Sequence, residues 1–201
     1  MATRKFLLEK ILLLGILIAS VWGFWYFEES LTLRILVVIL SIAALFFGFS
    51  RAPSEREFSS KRELLMLLIL YLGLFSLYNF LYSINIPIYL VMIAILGLVS
   101  ILFFSLLSLD KIDSLMGKEV FHLFIALMGL VTLEVFLALY FWPINPETKS
   151  LIIVVIFYLI TSLIYLYVHS MLRLKRIVGF LIVSLLILGI ILIFTWLGLS
   201  K

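Results

Sequence analysis

Within Leu127–Trp142, LMGLVTLEVFLALYFW, one side chain can hold a charge: the carboxylate of Glu134. A charged carboxylate near the centre of a lipid-embedded helix costs about 2.5–3.5 kcal/mol, so such a group is neutralised, paired or put to use. Its candidate partners are Arg34, about one turn inside an apolar run and long enough to snorkel, and the polar pair Tyr78 and Asn79. Glu134, Arg34, Tyr78 and Asn79 therefore form the candidate intramembrane polar site. Two chemistries suit them. One is a proton- or cation-coupled site or a contact to a polar substrate. The other is an interhelical hydrogen bond or ion pair that fixes packing, an interaction averaging about 0.6 kcal/mol in membranes.

The remaining reactive residue types give no catalytic constellation. The chain has no cysteine, which removes thiolate nucleophiles, iron–sulfur clusters and disulfides. His122 and His169 stand alone near apolar-run ends, and His122 precedes Glu134 by twelve residues, about 18 Å along a helix. That distance argues against a His–Glu pair. No catalytic residue, metal ligand set or cofactor motif is expected. A retinal protein needs a lysine inside its last helix, whereas Lys175 and Lys201 flank the last apolar run. A CAAX-type protease carries Glu-Glu-x-x-x-Arg; here Glu28-Glu29 is one residue too far from Arg34, and His169 falls on the opposite membrane side. A rhomboid-like protease needs a Gly-x-Ser nucleophile with a histidine at matching depth, and no such pair occurs.

The elements that must carry these residues follow from composition. Of 201 residues, 66% are hydrophobic and 13% charged, with a mean hydropathy of +1.34. Soluble domains hold roughly 45–50% apolar and about 25% charged residues. The excess runs the length of the chain, so the expectation is an all-α polytopic membrane protein, a single transmembrane domain over 1–201 in the cell membrane. A spanning helix needs about 20 mostly apolar residues, and polar punctuation cuts seven: about 11–27, 31–49, 64–83, 88–109, 120–142, 150–172 and 177–199. Arg4, Lys5 and Lys10 before the first run resemble a signal peptide, but the run continues through Trp22–Phe27 with no small-residue cleavage site, so it reads as an uncleaved helix. Ser54 with Glu57, and Ser60 with Glu63, have capping-box spacing, the second predicted to launch span three. Pro87 and Pro146 sit where a helix starts, with Asn145 as a cap.

Lysine and arginine placement predicts orientation. With the N-terminus cytoplasmic, the inner segments hold twelve: Arg4, Lys5, Lys10, Arg51, Arg56, Lys61, Arg62, Lys111, Lys118, Arg173, Lys175 and Arg176. The outer side holds three, Arg34, Lys149 and Lys201, so the C-terminus is predicted outside. Trp22, Trp25, Trp142 and Trp196 then gather at the outer interface. These basic segments are explained by topology and anionic lipid, with no nucleic acid partner. Gly73-Leu-Phe-Ser76-Leu77-Tyr-Asn-Phe80-Leu81 and Gly129-Leu-Val-Thr132-Leu133-Glu-Val-Phe136-Leu137 share G-L-x-[S/T]-L-x-x-F-L. This suggests parallel helical-hairpin repeats, with Tyr78 the counterpart of Glu134. Chance likeness between leucine-rich helices is the competing explanation. Gly15, Gly73, Gly97, Gly129 and Gly189 are expected at close helix contacts.

Short loops leave no room for a soluble catalytic or nucleotide-binding lobe. The leading expectation is a non-enzymatic membrane subunit, scaffold or assembly factor, bound to other membrane proteins or to copies of itself within the lipid bilayer. The alternative is a small carrier or channel for an ion, lipid or small metabolite, using Glu134. An intramembrane enzyme ranks third, since such chemistry needs clustered carboxylates, histidines or a metal.

Overall fold

The computed structural model describes residues 2–49, 55–84, 86–109, 118–168 and 174–199, with side chains over most of them. Among these, every regular element is an α-helix: α1 (Ala2–Phe27), α2 (Leu31–Phe49), α3 (Glu55–Ser83), α4 (Ile88–Leu109), α5 (Lys118–Tyr140), α6 (Pro146–Val168) and α7 (Leu174–Leu199). Four carry segments long and apolar enough to cross a membrane: Glu63–Ser83, Ile88–Leu107, Glu119–Tyr140 and Pro146–Val168. The apolar parts of the others, Ile11–Phe27, Leu31–Phe46 and Ile177–Ile193, are shorter.

Helix ends differ from the apolar runs in a consistent way. α3 starts at Glu55, so Ser60 and Glu63 lie inside the helix and do not launch it. The other box begins at Ser54, which is outside the described residues, and its spacing fits a start at Glu55. α1 and α7 likewise take in basic residues that flank their runs. The reason is physical: backbone hydrogen bonding continues into polar sequence, so a helix need not end where its apolar stretch does. α6 begins at Pro146, whose missing N–H costs nothing in a first turn. The Lys149 amide closes that turn on the Asn145 carbonyl at 3.1 Å. The linkers around Asn85, 110–117 and 169–173, with His169 and Arg173, lie outside the described residues.

The chain forms two compact units, Met1–Asp110 and Lys111–Lys201. In the first, α3 is the hub, packed by α1, α2 and α4. Its residues Leu72 to Ser76 are buried without a break, which a helix achieves only when neighbours cover every side. α1 meets it closely. Phe24 tilts on Phe75 at 4.8 Å between ring centroids, and Phe27 meets Phe80 edge-on at 4.7 Å. A Cβ added at Gly23 would lie 2.5 Å from Ser76 Oγ, and one at Gly73 would lie 3.3 Å from Ser20 Oγ and 2.8 Å from Leu98 Cδ2. Ser76 Oγ donates toward the Ser20 carbonyl across the contact, at 3.2 Å. Small residues thus let two backbones approach, the usual source of cohesion between helices in lipid. Gly73 meets its expectation. Gly15, Gly97 and Gly189 do not, since nothing lies within 4 Å of a Cβ built there; Gly23 takes part in their stead.

In the second unit α6 is the middle helix, flanked by α5 and α7. Thr148 and Thr195 hydroxyls meet at 3.3 Å between α6 and α7. α5 buries one stripe, Phe121, Met128, Thr132, Phe136 and Leu139, and exposes the opposite one.

Candidate intramembrane polar site

Each predicted site residue has a defined setting within its own unit. Glu134 lies on the exposed stripe of α5 with Leu123, Leu127, Leu130, Ala138 and Phe141, spaced three or four apart and so aligned along one face. Leucines there are what a lipid-facing helix presents. The carboxylate is the exception.

Tyr78, its counterpart in the shared motif, is fully buried on α3, with its ring stacked at 6.4 Å and 10° on Tyr82. The two motif copies agree at the hydroxyl: Ser76 Oγ reaches the Leu72 carbonyl and Thr132 Oγ1 the Met128 carbonyl, each at 2.8 Å. They diverge at Tyr78 and Glu134 because α3 is buried all round near Leu72–Ser76 whereas α5 has an uncovered face. Asn79 is half-buried and turns its amide onto its own helix, Nδ2 donating to the Phe75 carbonyl at 2.9 Å.

Arg34 is engaged locally at the α1–α2 turn. Its Nε donates to the Glu28 carbonyl at the end of α1, and its guanidinium lies over the Trp25 ring at 5.6 Å. Both contacts suit a cation: helix C-terminal carbonyls carry partial negative charge, and an indole face attracts positive charge. The same turn caps α2. The Ser30 amide donates to Glu28 Oε1 at 3.1 Å, and Ser30 Oγ accepts from the Leu33 amide at 3.4 Å. Arg34 and Glu28 thus tie two helix ends together, a local role that the spacing Glu28-x-x-x-x-x-Arg34 alone does not disclose. Arg34, Tyr78 and Asn79 belong to the first unit and Glu134 to the second.

One polar residue escaped the sequence reading. Lys149, counted there as a loop cation, is only 2% exposed in the first turn of α6. Its Nζ donates to the Tyr140 carbonyl at 3.3 Å, closing the turn between α5 and α6 on a helix C-terminus. The signal was available. A helix started by Pro146 must include Lys149 in its first turn, four residues after the capping position.

His122 is exposed and edge-on to Phe121 at 5.8 Å. Among the described residues, no three His, Asp or Glu side chains gather as a metal would require. The arrangement can anchor helix ends, satisfy hydroxyls within helices and present one carboxylate on a helix face.

These features define a class, an all-helical protein whose long apolar helices are compatible with membrane insertion. More narrowly, residues 11–194 match a family described as "Protein of unknown function (DUF5656)", and the chain belongs to that family. No curated protein and no solved structure matches it.

Proposed function

We propose that the chain is a non-enzymatic multi-pass membrane subunit that binds another membrane protein, or a second copy of itself, through the exposed face of α5. The observation that carries this reading is Glu134 on that face. A carboxylate turned toward lipid is costly, and a polar group on a second helix removes that cost while fixing register. In the full reading all seven helices cross the cell membrane, with the N-terminus cytoplasmic and the C-terminus outside. The twelve-to-three bias of basic residues supports it. The shared motif of α3 and α5 supports a common hairpin ancestry, with the two copies now differing in how fully they are packed.

The test is photo-crosslinking from position 130 in native membranes, beside Glu134→Gln and Glu134→Leu. The subunit reading expects a discrete adduct that both substitutions weaken while the thermal unfolding temperature stays put. Loss of stability without an adduct would make the carboxylate a packing group. A solute flux in proteoliposomes that vanishes with Glu134→Gln would replace the subunit reading with a carrier.

A further inference from the structure

The exposed residues of α5 keep a stricter order than one face of a helix requires. Leu123, Leu127, Leu130, Glu134, Leu137 and Phe141 follow one another at steps of four, three, four, three and four. All are exposed except Leu137, which is half-buried; the other exposed residues between Leu123 and Phe141 are Ala126 and Ala138. Alternating steps of three and four average about 3.5, the a/d repeat by which two helices wrap around each other with a left-handed twist. The alanines flank this seam, and small residues there let two backbones approach.

Glu134 is the one polar member of the seam and falls at an a position, four residues after Leu130 and three before Leu137. A lone polar side chain at such a position fixes register and oligomeric state, because it must lie against a group that satisfies it. α7 shows the contrast. It exposes 181–183 and 185–187 in unbroken aliphatic runs, which lipid covers as well as any helix and which set no register. Two of the chain's own cations, Arg34 and Lys149, are taken up by carbonyls at helix ends.

We propose that the seam pairs with the same seam on a second copy of this chain, the two α5 helices running parallel and their Glu134 carboxyl groups hydrogen-bonded to each other. The inference rests on the reading of this face as a docking surface and names its partner. Two copies that insert alike point α5 in the same direction and hold Glu134 at the same depth. A two-fold axis then sets each seam residue against its own counterpart. A carboxylic acid has an O–H donor as well as acceptor oxygens, so Glu134 in that form satisfies its twin with no cation brought from outside. A different protein would have to present both a matching a/d seam and a donor at this depth. A second copy has both by construction.

The chain lacks cysteine, so single cysteines in the full chain report this contact in native membranes. A disulfide needs Cα atoms about 4.4–6.8 Å apart. Oxidation of Leu123→Cys, Leu127→Cys, Leu130→Cys or Leu137→Cys should link two differently tagged copies, whereas Ile125→Cys and Val135→Cys, off the seam, should not. Energy transfer between fluorescently tagged copies, followed as lipid dilutes them in liposomes, gives the association constant. Glu134→Leu should lower it about three- to fifteenfold, the range for hydrogen bonds between membrane helices. Glu134→Gln, which keeps a donor and an acceptor, should lower it less. The cysteine scan retains Glu134 and decides the question if Glu134→Leu does not fold. Equal disulfide yields on and off the seam overturn the proposal, as does an association constant that Glu134→Leu leaves unchanged. A photo-adduct from position 130 that holds another protein, with no disulfide along the seam, also overturns it but leaves α5 a docking face. Absence of disulfide and photo-adduct alike overturns the docking reading as well.

Discussion

Glu134 and Lys149 are two ionisable side chains in opposite settings. Lys149 is enclosed and bonded to the Tyr140 carbonyl, whereas Glu134 stands on an exposed face. Removing the lysine leaves the Tyr140 carbonyl at the end of α5 without that donor. Lys149→Ala is therefore expected to destabilise the protein by about 1.5–3 kcal/mol, the range for hydrogen bonds to charged groups, read as a lower midpoint in detergent unfolding. Glu134→Gln should leave that midpoint unchanged. The oddity of Glu134 was legible in the sequence because one carboxylate stands in sixteen otherwise uncharged residues. Its exposure was not, since sequence does not say which side of α5 a neighbour covers. Arg34 was legible as a cation able to snorkel, but its seat on Trp25 and the Glu28 carbonyl depends on how the turn closes in space.

At the scale of helices, prolines and polar breaks placed the elements well. Pro146 begins α6 and Ile88 follows Pro87 into α4, as expected. Which helix sits at the centre of each unit was hidden. A face that meets lipid and a face that meets another helix are both apolar in a membrane protein, so α3 and α5 read alike although α3 is far more buried than α5. The α1–α3 contact gives a graded prediction. A methyl at Gly23 would press on Ser76 at its Cβ, 2.7 Å away, which cannot move without the backbone; a methyl at Gly73 meets the tip of Leu98, which can rotate aside. Gly23→Ala should cost about 1–3 kcal/mol of stability and Gly73→Ala clearly less, measured side by side by denaturation in mixed micelles. Equal costs would mean that α1 shifts freely over α3.

For the molecule as a whole, the charge bias makes a prediction independent of any binding partner. A reporter fused after Lys201 should register outside the cytoplasm and one placed before Met1 inside; a cytoplasmic signal from the C-terminal fusion would remove a span from the proposed seven. The hub position of α3 also has a consequence in time. α1 and α2 are made first, yet the helix on which both pack comes third. A growing chain that has reached Phe49 holds two apolar helices joined by a capped turn, and 34 further residues must be added before Ser83 completes α3. At about 5–20 residues per second, that is an interval of about 2–7 s. During it the Gly23 and Ser20 face of α1 has no α3 to close on. The first unit is assembled by its third helix, and slowing synthesis between Phe49 and Ser83 lengthens the time its pieces spend apart.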